Sequence, residues 1–140
     1  MKISARNVLA GTVQNVTKGA VNAEVAVTLR GGETIVAIIT NSSVESLDLQ
    51  PGKEAFAIVK ASEVMIGVGI GAGSISARNL LPGVVENVRD GAVNSEVEVR
   101  LAGGTSVVAS ITRASVESLG LGKGVKVSAI LKASNVLVGV

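Results

Sequence analysis

A chain of 140 residues with net charge +2, no cysteine and no histidine can build neither a disulfide framework nor a classical zinc staple. One phenylalanine and no tyrosine or tryptophan leave almost no stacking faces for single-stranded nucleic acid, and 13 basic residues are interleaved with 11 acidic ones rather than gathered in a patch. No run approaches the roughly 20 apolar residues that span a bilayer, and "MKISARN" has no apolar stretch behind its lysine, so the expected address is a reducing cytoplasm.

The chain repeats itself. Residues 3–68 align with 75–140 at a fixed offset of 72, without a gap, and 39 of the 66 pairs are identical. Length alone suggests one domain. The repeat instead divides the chain into residues 1–68, a Gly-rich linker at 69–74, and residues 75–140. A unit of about 66 residues buries only roughly 60% of its unfolded surface and is marginal by itself. With disulfides and zinc unavailable, packing of repeat on repeat and chain on chain is the remaining remedy, so an oligomer is expected.

With almost no aromatics, the core has to come from Val, Ile, Leu and Ala, which favours strands where the β-branched residues alternate. "LAGTVQNV" reads as a first strand that ends in the turn "TKGA". "AVNAEVAVTL" puts Val21, Ala23, Val25, Val27 and Leu29 on one face, the period of a half-buried strand. "RGGE" is a hairpin turn into the more fully buried "TIVAIIT". "NSSVESLDLQPG" fits one short helix through Val44 and Leu47, with Leu49 less certainly included and Pro51-Gly52 as its stop. Ser42 with Glu45 as a capping box competes with Thr40 or Asn41 as the cap. "EAFAIVK" and "VMIGV" are two further strands, and five short strands with turns suggest a small Greek-key barrel. The repeated glycines, Gly11/Gly83 and Gly31/Gly103 among them, read as turn positions. The linker "GIGAGS" lacks the full pattern and context of a dinucleotide-binding loop, and its composition is flexible.

Comparing the copies separates retained from drifting polar residues. Lys18 faces Asp90, Arg30 faces Ala102 and Lys53 faces Val125, whereas only Arg6/Arg78 and Lys60/Lys132 keep a cation. Retained hydroxyls are Ser4/Ser76, Thr40/Thr112, Ser43/Ser115, Ser46/Ser118 and Ser62/Ser134; retained acids are Glu24/Glu96 and Glu45/Glu117. A planar guanidinium fork, a lysine point charge and neutral hydroxyl donors together suit a tetrahedral oxyanion. Competing roles are plain: Thr40 and Ser43 as helix caps, Arg6 in an ion pair with a retained glutamate, Lys60 as a solvated strand end. Joint retention favours the anion. Both arginines engaged by glutamates and remote from any anion would overturn that reading. Catalysis is disfavoured by the missing general-base repertoire, and no side chain is expected to ligate a metal cation directly.

"SARN", "GAVNAEV", "IITNSSVESLDLQPGKE" and "AIVKASEVMIGV", in order and twice over, resemble the molbindin or Mop domain family. The resemblance implies two tandem OB-like five-stranded Greek-key barrels, each with one short helix and with strand exchange between paired domains. It implies molybdate or tungstate as ligand, no cofactor, and a homotrimer with anions at domain and subunit interfaces. Carried over, the main site would use Ser4 and Arg6, and Ser76 and Arg78. It would add Thr40 and Ser43, and Thr112 and Ser115, from a neighbouring domain, with Lys60, Ser62, Lys132 and Ser134 completing it. Asn22 and Asn94 in the "GAVN" turns are candidates for a further anion site near a threefold axis. The function implied is intracellular molybdenum storage and homeostasis; the alternative is an oxyanion-sensing module acting through a protein partner. A ligand-free β scaffold is a third reading, and an oligonucleotide-binding barrel comes last. No nucleic-acid or membrane partner is expected.

Overall fold

The computed structural model describes residues 1–140. The first repeat contributes β1 (Asn7–Lys18), β2 (Asn22–Leu29), β3 (Thr34–Thr40), α1 (Asn41–Ser46), β4 (Glu54–Val59), a 3-10 turn (Ala61–Glu63) and β5 (Val64–Gly67). The second contributes β6 (Asn79–Asp90), β7 (Asn94–Leu101), β8 (Ser106–Thr112), α2 (Arg113–Leu119), β9 (Lys126–Leu131), a 3-10 turn (Ala133–Asn135) and β10 (Leu137–Gly139). No helix is long and apolar enough to cross a membrane.

The strands form two antiparallel five-stranded sheets, ordered β10-β4-β1-β2-β3 and β5-β9-β6-β7-β8. Each sheet takes its fifth strand from the other repeat. β5 runs along β9, with Val64 opposite Leu131 and Gly67 opposite Ser128, and β10 runs along β4, with Leu137 opposite Ile58. β10 also lies against β3, and β5 against β8, so each sheet curls until its two edges meet. The resulting ring order, β1-β2-β3-β10-β4 with a helix between β3 and β4, is that of an OB-like barrel. Strand exchange therefore occurs within this one chain.

Alternation places the core. Ala23, Val25, Val27 and Leu29 point inward from β2 and are at most 3% exposed. Val21, assigned by its spacing to the same face, lies outside the strand and is 70% exposed. The Gly19 N–H donates to the Asn22 carbonyl, which closes the hairpin tip at Val21 and breaks the period there. A single cluster of 27 buried apolar side chains draws on both repeats, so the barrels share one continuous core of Val, Leu, Ile and Ala.

Two glycine pairs behave differently from simple turns. Gly11 and Gly83 sit inside β1 and β6, where an added Cβ would come within 2.4 Å of the Thr28 carbonyl oxygen and 2.6 Å of that of Arg100. They permit close strand crossing, just before bulges at Val13/Asn15 and Val85/Asn87. Gly31 and Gly103 do lie in turns, but the turns touch each other: a Cβ on Gly103 would lie 2.1 Å from the Gly31 oxygen.

The short helices are capped by threonine. Thr40 has extended backbone (φ −76°, ψ 151°), and its Oγ1 accepts from the Ser43 N–H at 3.1 Å. Asn41 is instead the first helical residue, with its Nδ2 donating to the Gly19 carbonyl at 2.9 Å. Thr112 caps α2 in the same way through Ser115.

Candidate functional site

β1 and β4 pair antiparallel with Asn7 opposite Val59, so the residues entering β1 lie beside those leaving β4. That register gathers Ser4, Arg6, Lys60 and Ser62 around one pocket of about 350 Å³. The matching register of β6 on β9, with Asn79 opposite Leu131, gathers Ser76, Arg78, Lys132 and Ser134 around a pocket of about 680 Å³. All nine residues of the first pocket have their counterparts in the second, exchanged strand included: Leu137 walls one and Met65 the other. The second pocket adds Ile38, Ile66 and Ile70. Ile70 belongs to the linker, which thus builds a wall: its Cδ1 would lie 2.6 Å from a Cβ placed on Gly67.

Neither Lys60 nor Lys132 is in an ion pair. Both arginines are. Arg6 Nη1 pairs with Glu96 of the second repeat, and Arg78 Nη1 pairs with Glu24 of the first at 2.5 Å. The competing structural role for the arginines is therefore realised, through retained glutamates. It engages one nitrogen of each guanidinium, while the same arginines border the pockets. The hydrogen bond that Arg78 donates to Glu24, reinforced by the carboxylate's charge, raises the Arg78 pKa above the ordinary arginine value, so this fork stays cationic at any working pH.

Thr40, Ser43, Thr112 and Ser115 do not line either pocket. Within this chain their hydroxyls bond each other, Thr40 to Ser43 at 2.9 Å and Thr112 to Ser115 at 2.8 Å, and cap the helices. Asn22 and Asn94 stand opposite Thr40 and Thr112 across the β2–β3 and β7–β8 ladders, so they share the helix end of each barrel rather than the pocket end. The expected donor set thus falls into two groups per repeat: Ser, Arg, Lys, Ser at a pocket, and Asn, Thr, Ser at a helix start. No group of three or more His, Cys, Asp or Glu side chains is placed to hold a metal ion.

Asn7 and Asn79 were not among the expected residues. Each is 1% exposed and clips the repeats together. Asn79 Nδ2 donates to the Val36 carbonyl at 2.8 Å, and the Val36 N–H donates to Asn79 Oδ1 at 2.8 Å. Asn7 makes the same pair of bonds with Val108, at 2.8 and 2.7 Å. Their signal in the sequence was the final letter of "SARN", retained in both copies beside the arginine.

Comparison with known proteins adds a family. The TOBE domain matches residues 3–66 and 75–138. The molybdenum-pterin-binding protein MopA of Rhodobacter capsulatus is 46% identical over 137 residues, 98% of this chain and 52% of the relative. The molybdenum transport protein ModE of Azotobacter vinelandii is 42% identical over 140 residues, 100% of this chain and 52% of the relative. The chain spans about half the length of these curated relatives. A probable molybdenum-pterin-binding protein of Haemophilus influenzae is 47% identical over 68 residues, 49% of this chain but 99% of the relative, so one repeat matches nearly that whole protein. Among solved structures, the cytoplasmic molybdate-binding protein ModG with molybdate bound superposes with a TM-score of 0.96 at 48% identity, covering 100% of this chain and 99% of that one. The chain belongs to the TOBE-domain family, as a tandem pair of Mop-type domains that complete each other's sheets.

Proposed function

We propose that this chain binds molybdate or tungstate in the cytoplasm, for storage and homeostasis, without catalysing a reaction. The observation that carries the reading is the twofold gathering of Ser, Arg, Lys and Ser at one pocket each, in a chain that matches a molybdate-bound relative over its whole length. Arginine supplies a planar fork, lysine an unpaired charge, and the serines neutral donors, which together suit a small dianion with four oxygens.

A lone chain leaves these donors exposed on one side. The remaining donors, Thr40 and Ser43 with their counterparts Thr112 and Ser115, sit at the end of each barrel away from its own pocket, although β3 reaches the second repeat's pocket through Ile38. A neighbouring chain that brings its helix start to the pocket closes the site, and a homotrimer is the assembly we assign to that task. Asn22 and Asn94, beside the same threonines, are the proposed donors for a further anion near the threefold axis. An oxyanion-sensing module that acts through a protein partner is the second reading; what favours a module is that the chain matches only 52% of the longer molybdenum transport protein ModE.

Calorimetric titration with molybdate in sulfate-containing buffer, with oligomer mass measured alongside, tests the proposal. Saturable binding by a trimer, lost in the Arg6→Ala/Arg78→Ala double variant, is expected. Absence of heat, together with absence of binding in equilibrium dialysis, would leave an oligomeric β scaffold without this ligand.

A further inference from the structure

The two arginine–glutamate pairs are built alike and cross between repeats in opposite directions. Arg6 stands just before β1 and reaches Glu96 in β7; Arg78 stands just before β6 and reaches Glu24 in β2. The backbone beside each arginine is already fixed, because Asn7 and Asn79 are clamped to Val108 and Val36. What stays free is the arginine side chain, whose rotamers are costly to freeze at the moment of binding.

The glutamate takes up that freedom in advance. It holds Nη1 and leaves the rest of the fork alone: neither guanidinium makes any other hydrogen bond within the protein. Arg6 also borders two hollows at once, the pocket with Ser4, Lys60 and Ser62 and a smaller one with Glu96. Arg6 thus links the hollow that holds the carboxylate to the cationic pocket. A carboxylate near an incoming dianion also repels it. Glu96 and Glu24 are 34% and 45% exposed, however, so water and salt screen that repulsion across the pocket more than they weaken the direct hydrogen bond to Nη1.

We propose that Glu24 and Glu96 are positioning residues for the oxyanion sites: each holds one nitrogen of an arginine contributed by the other repeat, so that the remaining N–H groups face the pocket. The assignment rests on the anion-binding function proposed above. It makes each site depend on both repeats, with the cationic donors of one oriented by an acid of the other.

The test uses the full-length chain and molybdate titration, with melting temperature and oligomer mass as controls. Relative to wild type, Glu24→Ala/Glu96→Ala weakens binding about tenfold, the lower range for loss of an orienting partner behind a ligand-binding group. Glu24→Gln/Glu96→Gln recovers most of that affinity, because the amide oxygen still accepts from Nη1. Glu24→Asp/Glu96→Asp keeps the charge but falls one methylene short, and weakens binding as alanine does. This third variant decides the matter if the alanine pair fails to assemble. Alanine variants that bind as tightly as wild type or tighter would overturn the assignment and make the glutamates competing counter-ions, and so would aspartate variants of wild-type affinity. A wild-type protein that binds no molybdate would instead overturn the proposed function, and this assignment with it.

Discussion

Asn79 offers both halves of one amide to a single residue of the other repeat, and that residue, Val36, lies in β3, the last strand of the first sheet. Removing the amide strands a partly buried N–H and a partly buried carbonyl together. Asn79→Ala is therefore expected to cost about 2–4 kcal/mol, from two lost partners at roughly 1–3 kcal/mol each with partial relaxation. Asn79→Asp is expected to cost at least as much, because a carboxylate cannot donate to the Val36 carbonyl and is left charged in a site that is 1% exposed. Urea unfolding midpoints check both; an alanine variant as stable as wild type would show that the clip does not hold the repeats together. Comparing the two copies found the charged and hydroxyl residues of the pockets but passed over this asparagine. Its partner Val36 is 43 residues away, as Val108 is 101 residues from Asn7, and an amide that bonds only backbone leaves no complementary side chain to co-vary with. The same distance hid which glutamate each arginine would meet, although the retained acids were visible as candidates.

The helical connections illustrate how a single residue tunes an element. The C-terminal end of each helix turns through the left-handed region at equivalent positions, at Gly120 with φ 63° and at Asp48 with φ 50°. Glycine adopts that conformation without steric cost, whereas aspartate pays roughly 1 kcal/mol. Asp48→Gly is thus expected to stabilise the chain by about 0.5–1 kcal/mol, read as a higher melting temperature; a lower one would mean that the Asp48 side chain offsets its backbone strain. Strands were legible where alternation ran uninterrupted, as in β2 from Ala23 to Leu29; β3, an apolar run expected to be more fully buried, does form a strand but buries only Ile35 and Ala37. Legibility failed where geometry overrode pattern. Val21 continues the alternation in sequence but sits past the hairpin bond, and Gly11 looks like a turn residue but marks a close crossing of strands. The choice among Ser42, Asn41 and Thr40 as cap was equally closed to sequence, since all three side chains can accept a backbone hydrogen bond and only the backbone angle at Thr40 selects it.

Over the whole molecule, counterparts meet. Gly31 packs on Gly103, and Asn135 Nδ2 donates to Glu63 Oε2 at 2.9 Å; in both cases the two residues are 72 apart. Residues that touch their own equivalents lie on the pseudo-twofold axis relating the repeats. Two identical units carrying Glu63 would set glutamate against glutamate at the second of these points, and the asparagine of the second repeat avoids that. Asn135→Glu introduces the clash of like charges. Because the site is exposed, a modest loss of about 0.5–1 kcal/mol is expected, smaller at high salt. A loss that does not respond to salt would point to packing instead.

The exchanged strands carry the larger consequence of that symmetry. β10 is the last strand of the second repeat, yet it edges the first repeat's sheet by pairing with Ile58, Ala57 and Phe56 of β4. β9, in contrast, is flanked by β5 and β6 and touches no part of β10's ladder. Deleting residues 137–140 should therefore damage the repeat it does not belong to. Amide hydrogen exchange is expected to speed up in β4, across Glu54–Val59, while β9 across Lys126–Leu131 keeps its protection. Loss of protection in β9 with β4 intact would mean that each repeat folds back on its own strand in solution. Because the core is one cluster fed by both repeats, the intact chain is further expected to unfold in a single transition, with calorimetric and van't Hoff enthalpies in agreement. Exchange makes neither barrel complete without the other, and the pockets inherit that dependence: Met65 on β5 walls the second pocket, and Leu137, removed by the same deletion, walls the first.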